Sequence, residues 1–392
     1  MGFRDKVKKI IPKVNLQDYY IMIVGGWKSG KTRAFKEIIE LHYPENPEAG
    51  LLLAWEPGYQ TWEMESVLPL HEESDPWGFF VESVVPDLIQ EAKDGTNTKI
   101  LGFDTIDVMV EQATAKVIEK VNKKYGKHFN SLQEISNAKV DNGYILLGEE
   151  INIPMRKLQN AGYGIFWLGW TKEKETELVD GMKYQSLEMS LSNTTRKIFE
   201  GQAHLICCLY PESKALDKDG EILEENKVNA KGKEIASKFH STEMYMYFRP
   251  NSYINIAGGR FLNLPEKVPY SAENFLKVFE DAVKGQLKNN KNVEEIRVKE
   301  LKDREEKVQI NNLSKEDIKE ETSENKDKSE NKFTTIKEVI DTIQDKYHEL
   351  EGKVDKKQLN KIVGKPSTYK TIEQAEEVLE DLNKVEIESK AS

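Results

Sequence analysis

Cysteine is nearly absent from this chain. There are two in 392 residues, Cys207 and Cys208, side by side. Neighbours in sequence make a poor structural disulfide, and no C-x-x-C pair is present for zinc, so neither a disulfide scaffold nor a zinc module organises the fold. The two thiols read as core residues in a reducing compartment. Long apolar runs are missing too. None approaches the roughly 20 residues that span a bilayer. The basic stretch Met1 to Val14 lacks the apolar centre of a secretory signal. The expectation is a soluble, cytoplasmic protein without membrane contact. Excess positive charge is also absent. The net charge is −11, which argues against a surface coated with nucleic acid. The acid is uneven, however. Residues 51–100 carry 2 Lys+Arg against 10 Asp+Glu, whereas residues 151–200 carry 7 against 6, so a local path for a polyanion stays open.

What is present begins at Tyr19. The apolar run Tyr19 to Val24 reads as a buried strand, Gly25-Gly26-Trp27-Lys28-Ser29-Gly30-Lys31-Thr32 follows, and Arg33 to Ile39 reads as a helix. Strand, G-x-x-x-x-G-K-[ST], helix is the phosphate-binding loop in the context that supports it. Glycines let backbone N–H groups converge on a phosphate, and the helix N-terminus adds positive potential at the same point. Lys31 is expected to reach the β- and γ-phosphates of ATP and to face solvent before they bind. Thr32 offers its hydroxyl to Mg²⁺.

Two carboxylates extend the pattern. Leu51 to Trp55 reads as a second buried strand, ending at Glu56. Glu56 either polarises the water that attacks the γ-phosphate or is a solvated turn glutamate, and on its own residues both readings stand. Lys99 to Phe103 is a third apolar strand, ending in Asp104. That is the Walker-B pattern, in which the carboxylate holds Mg²⁺ opposite the loop threonine. Asp107 is a weaker candidate, as a second carboxylate or a helix N-cap.

Further along, helical spacing covers Val108 to Lys124 and Ile151 to Asn160. Tyr163 to Trp170 reads as a fourth strand, with Thr171 and Lys172 where a γ-phosphate sensor often stands. The Lys-Glu run behind them reads equally as a solvated loop. Ser192 to Lys197 is a polar, basic segment that could face DNA. Ala203 to Tyr210 is another strand, Pro211 to Ser237 a hairpin excursion, and Thr242 to Phe248 and Ser252 to Ala257 a strand pair. A helix from Ala272 to Gly285 closes the core. The expected fold is α/β, a RecA-like P-loop core sheet flanked by helices. A nucleotide kinase is disfavoured, because a strand ending in Glu56 intervenes before the Asp104 strand and no arginine-rich lid follows.

Five segments recur together and in this order: Gly25 to Thr32, Trp55-Glu56-Pro57-Gly58-Tyr59, Phe103 to Asp107, Trp170-Thr171-Lys172, and Gly258-Gly259-Arg260-Phe261 with Leu264-Pro265-Glu266-Lys267. In them the chain resembles the phage-encoded AAA-type nucleotide-binding proteins with a RecA-like core, some of them single-strand annealing recombinases of the Sak type. The resemblance covers roughly Val14 to Leu287. It implies ATP and Mg²⁺ as ligands, Glu56 as the catalytic glutamate beside Lys31 and Asp104, and a bacterial host cytoplasm. It also implies action on single-stranded DNA in recombination or replication. The alternative is a nucleotide-gated annealing or assembly protein that does not turn ATP over. A homo-oligomer is expected, with Arg249 or Arg260 reaching a neighbour's γ-phosphate. Lys172, Lys174, Lys183, Arg196 and Lys197 are the candidate DNA contacts. Trp170 departs from the small polar residue and histidine that the family often carries after the fourth strand.

Residues 1–287 thus read as the ATPase core, 288–333 as a charged flexible linker in which Val293 to Val308 could make a charged helix, and 334–386 as a small helical module. In the module, Ile336, Val339, Ile340, Ile343, Tyr347 and Leu350, then Leu359, Ile362 and Val363, then Ile372, Ala375, Val378, Leu379 and Leu382 follow helical spacing over three helices. A protein-docking role is expected for it, and its lysines leave DNA binding open. Asn311 to Lys332 is too polar to bury, so limited proteolysis should cut there first and release a core and a small helical fragment. A first cut inside the core, read by mass spectrometry, would misplace the boundary.

Overall fold

The computed structural model describes residues 11–177, 181–216, 239–287 and 295–304, two short strands between them, and scattered positions elsewhere. The chain divides into two compact units, Met1–Ser314 and Lys315–Ser392.

The first unit is built on ten strands. In chain order they are β1 (Tyr20–Gly25), β2 (Gly50–Ala54), β3 (Val67–Pro69), β4 (Ile100–Asp104), β5 (Gly164–Glu177), β6 (Lys183–Met189) and β7 (Leu205–Leu216). After a separate pair, β8 (Lys227–Val228) with β9 (Glu234–Ile235), come β10 (Phe239–Tyr247), β11 (Gly258–Gly259) and β12 (Lys267–Pro269). The sheet runs β12-β10-β7-β1-β5-β4-β2-β3. It is parallel from β7 to β3 and antiparallel at β10 and β12. The helices are α1 (Lys31–His42), α2 (Pro76–Phe79), α3 (Val85–Asp94), α4 (Ile106–Tyr125), α5 (Leu132–Asn137), α6 (Gly143–Ala161), α7 (Asn193–Glu200) and α8 (Ala272–Gln286).

The central strands are apolar at every position because both faces are covered. Alternate side chains then enter different cores. Ile21, Ile23, Phe166 and Leu168 pack under α1 and α8, while Met22, Val24, Phe103 and Trp167 pack under α3, α4 and α6. Helix α1 lies close on the sheet because Gly102 has no side chain. A Cβ there would stand 2.7 Å from the buried Phe35 ring. That close approach sets the phosphate loop, at the head of α1, over the C-terminal ends of the strands.

Several elements differ from their sequence reading. The strand between β1 and the Asp104 strand in the sheet is β5, not β2; β2 lies outside β4. The fourth strand does not stop at Trp170. It continues through the Lys-Glu run to Glu177 and forms an antiparallel ribbon with β6. Alternating charges satisfy a solvated ribbon as well as a loop, and cross-strand ion pairs such as Lys174–Glu188 at 3.1 Å favour the ribbon. Helix α6 starts eight residues early because Asn142 caps it, accepting from the Tyr144 and Ile145 N–H groups. Ser192 likewise caps α7, so the polar, basic segment that follows it is helical. Ser252 to Ala257 forms no strand with β10, whose partners are β7 and β12.

Residues 295–304 are helical and lie inside the stretch read as a linker. They pack on the first unit. Glu300 accepts from the Asn15 side chain at 2.7 Å and pairs with Lys13, and Arg304 pairs with Asp18. Burial raises the Asp18 pKa, with Arg304 opposing it. Removing the cation leaves a half-desolvated carboxylate alone. Arg304→Ala should cost about 1–3 kcal/mol at neutral pH. The loss should shrink as pH falls to about 3 and below, where Asp18 is mostly protonated in the folded and the unfolded chain. Urea melts at the two pH values check this; an equal loss at both would remove Asp18 from the account.

In the second unit, Ile343, Leu359, Val363 and Leu382 are buried together, with Tyr347, Ile362, Val378 and Leu379 against them. The stretch 311–332, where the first proteolytic cut is expected, lies outside the described residues.

Candidate nucleotide-binding site

Strand β1 is buried to its last residue and delivers the chain into the loop Gly25 to Gly30. Gly25 is required. A Cβ there would meet Ser29 Oγ at 2.5 Å and the Leu209 carbonyl at 2.9 Å. Gly30 is required for another reason, its φ of +90°. Gly26 has open space around it, and Trp27 and Lys28 are exposed. Ser29 Oγ is buried and has no hydrogen-bond partner among the described residues, which suits an oxygen-rich ligand held in the loop.

Lys31 does not face solvent as expected. It is 6% exposed, and its Nζ donates to the carbonyls of Gly25 at 3.2 Å and Gly26 at 3.0 Å. An ammonium on a buried stem needs acceptors, and the loop's own carbonyls supply them. Burial lowers its pKa, while the charges of Asp104 and Glu56 oppose the shift.

Thr32 Oγ1 donates to Asp104 Oδ2 at 2.6 Å. Asp104 is the last residue of β4, 2% exposed, in register with Ala54 on one side and Leu168 on the other. Burial pushes its pKa up; the Thr32 bond and Lys31 pull it down. A hydroxyl and a carboxylate this close are hard oxygen donors of the kind Mg²⁺ accepts. Among the described residues no cluster of three His, Cys, Asp or Glu side chains can hold a metal by itself. Mg²⁺ fits here as an ion that brings phosphate oxygens and water with it.

Glu56 follows the end of β2. The Trp55 N–H donates to the Asp104 carbonyl at 2.7 Å, so the two strand ends are tied. The Glu56 pKa is raised to about 7, by burial first and by the Asp104 charge second, against the pull of Lys31. A carboxylate poised there can accept a proton from water near neutral pH.

Asp107 is not a helix cap. Thr105 holds the N-cap position of α4, and Asp107 lies in its first turn, 5% exposed. It accepts from the Trp170 N–H at 2.7 Å and from the Ser190 hydroxyl. Thr171 pairs with Met189 inside the ribbon, and Lys172 donates to the Ser190 carbonyl at 2.8 Å, so neither stands in a loop over the phosphates. Trp170 meets Trp27 of the phosphate loop edge to face, with ring centroids 5.8 Å apart.

The basic residues are mostly paired. Lys174 and Arg196 share Glu188, at 3.1 and 3.0 Å, and Lys183 pairs with Glu175 at 2.8 Å. Lys197 is exposed and carries no ion pair among the described residues. Arg260 lies beside the N-terminal end of β7, at the opposite end of the strands from the phosphate loop. Its N–H donates to the His204 carbonyl and its guanidinium to that of Gly201, whereas the phosphate loop begins beside Leu209. Arg249, exposed beyond the end of β10, is displaced in the same direction.

Three residues near the loop carry no sequence signal. The Tyr270 hydroxyl reaches the Gly30 carbonyl at 3.5 Å and Glu37 at 3.4 Å. The Arg33 guanidinium lies 5.8 Å from the Trp62 ring and 5.6 Å from that of Tyr270. Their distance along the chain hides the cluster.

A phosphate loop on β1, a carboxylate two strands away on β4 and a glutamate beyond β2, with β5 inserted between, define a P-loop nucleotide-binding domain with a parallel-dominated sheet. The chain belongs to the AAA domain family, whose model matches residues 17–255. No curated protein matches it. Among solved structures it is similar to the KaiC-like protein PH0186 from the hyperthermophilic archaeon Pyrococcus horikoshii OT3. That alignment has a TM-score of 0.32 and 12% identity, and covers 65% of this chain and 91% of that one. Among the described residues, no helix is long and apolar enough to cross a membrane.

Proposed function

We propose that this chain binds ATP in the loop Gly25 to Thr32 and hydrolyses it. The observation that carries the reading is the Thr32–Asp104 contact beside Lys31, with Glu56 on the neighbouring strand end. Lys31 exchanges its loop carbonyls for β- and γ-phosphate oxygens. Thr32 and Asp104 hold Mg²⁺, which supplies charge neutralisation on those oxygens when bound. Glu56 orients the water and takes its proton.

The nucleotide cycle acts on single-stranded DNA in phage recombination or replication, as in Sak-type annealing. Supporting this are the exposed Lys197, the basic residues of the ribbon and α7, and their connection through Trp170 to the phosphate loop. The intrachain ion pairs make DNA affinity modest and steeply salt-dependent. A homo-oligomer accommodates Arg249 and Arg260, which lie too far from their own loop and serve only a neighbour's site. The C-terminal module docks a protein partner. A second reading, a nucleotide-gated annealing switch with little turnover, is favoured by Glu56, which is about half protonated at neutral pH.

An ATPase assay with and without single-stranded DNA separates these. DNA-stimulated turnover supports the first reading. ATP binding without turnover supports the second. Turnover that requires a small acceptor instead overturns both in favour of phosphoryl transfer to a metabolite.

A further inference from the structure

The ribbon β5–β6 departs from the sheet at Trp170 and Ser190, and its base there is clamped. Strand β4 ends at Asp104, level with Leu168, so on that side the Trp170 N–H has no strand partner, while on the other side β1 still runs alongside as far as Gly25. Asp107 fills the gap. One carboxylate oxygen accepts from the Trp170 N–H at 2.7 Å and the other from the Ser190 hydroxyl. Ser190 returns its own N–H to the Trp170 carbonyl at 2.9 Å. Both strands of the ribbon are therefore gripped at their base by one buried side chain.

Burying a carboxylate is costly, and the partners that hold this one outside its own helix are both at the ribbon base. Its place in the chain suggests what it does. Asp107 lies three residues after Asp104, in the first turn of α4, close enough to Lys31 for that charge to act on it. Trp170 is touched independently from the phosphate loop, through the Trp27 ring. A displacement at the loop or at the Asp104 strand end thus meets the ribbon base by two routes.

We propose that Asp107, with Ser190, is a positioning pair that latches the base of the β5–β6 ribbon to the nucleotide-binding edge, so that the ribbon responds to what the phosphate loop holds. The inference rests on the nucleotide-binding reading above but not on DNA. The outer half of the ribbon carries Lys183 in an exposed ion pair with Glu175 that is weak enough to rearrange, whereas Lys174 pairs nearer the base with the largely buried Glu188. Its inner half is held by Leu187, whose N–H donates to the Tyr253 carbonyl at 2.7 Å. Beside the β1–β5 pairing, which brings Gly25 level with Trp170, the clamp is the side-chain connection that ties both strands of the ribbon to the site.

The test is hydrogen exchange of residues 170–190 in the full chain, with and without ATP and Mg²⁺, beside a direct measurement of ATP affinity. In the wild type, ATP should slow exchange at the ribbon base by about tenfold. Ser190→Ala should keep ATP affinity within about twofold while the ribbon response disappears. Ser190→Thr, which keeps the hydroxyl, should restore it. Asp107→Asn, which retains an acceptor for the Trp170 N–H, should lose part of the response. A wild-type ribbon indifferent to bound ATP overturns the latch. So does a Ser190→Ala protein whose ribbon responds like the wild type, or one that loses affinity and response together, since that is a structural role only. Failure of the wild type to bind ATP at all overturns the reading of the loop itself, which the affinity measurement reports separately.

Discussion

Replacing Lys31 by alanine should raise the dissociation constant for ATP by about 10² or more while the chain stays folded. The effect is large because the ammonium is the one cation held at the loop's centre, and its charge-assisted bonds have no substitute among the exposed residues nearby. Without nucleotide it is not idle. It donates to the carbonyls of Gly25 and Gly26 and sits among the acids Asp104, Glu56 and Asp107. Removing it exposes those carboxylates to one another, so a loss of stability of about 1–2 kcal/mol should accompany the loss of binding. Lys31→Met keeps the apolar stem in its slot without the charge, so it restores packing while binding and the electrostatic part of the stability stay lost. Titration calorimetry with ATP and a thermal melt of each variant measure both quantities. Unchanged ATP affinity in Lys31→Ala would sink the assignment of the loop.

The difference between that account and a solvent-facing lysine shows where sequence reasoning stops. The loop, Thr32 and Asp104 were legible because their chemistry is set by spacing within a few residues and by the apolar strands before them. The direction of the Lys31 side chain was not, since it depends on which acceptors the folded loop presents. Asp107 is the same case at longer range. Its partners lie 63 and 83 residues away, and no local pattern announces them. Tyr270 touches the loop across 240 residues. The ribbon was hidden by composition, because a run of alternating Lys and Glu suits a loop and a solvated strand equally well until the opposing strand is known. The inserted position of β5 follows from the path of the chain through the sheet, which strand patterns read one at a time do not contain.

Glu56→Gln should leave ATP binding intact and lower hydrolysis by about 10² or more, since the amide keeps the size and hydrogen bonding of the acid but cannot take a proton from water. The pKa of about 7 gives this variant a second signature. Only the ionised form acts as a base, so wild-type turnover should rise as pH climbs through about 7 and level off above it. The glutamine variant should show no such rise. Stability runs the other way. A carboxyl whose folded pKa is raised from 4.5 to about 7 stabilises fully below its unfolded value and loses that contribution as pH rises through the folded one. The charge that serves the reaction is therefore a burden on the fold at alkaline pH. Solvent reaches a half-buried group, so the burden is a fraction of the nominal shift, about 1 kcal/mol. Glu56→Gln should be more stable than the wild type by about that much above pH ~7.5 and indistinguishable from it below about pH 4.5. Steady-state rates across this range and urea melts at its two ends give both curves. Wild-type turnover in the variant would transfer the base to another residue. A lost rate with no gain of alkaline stability would keep Glu56 in the reaction but mean that the carboxyl is better solvated than its neighbours Asp104 and Asp107 imply.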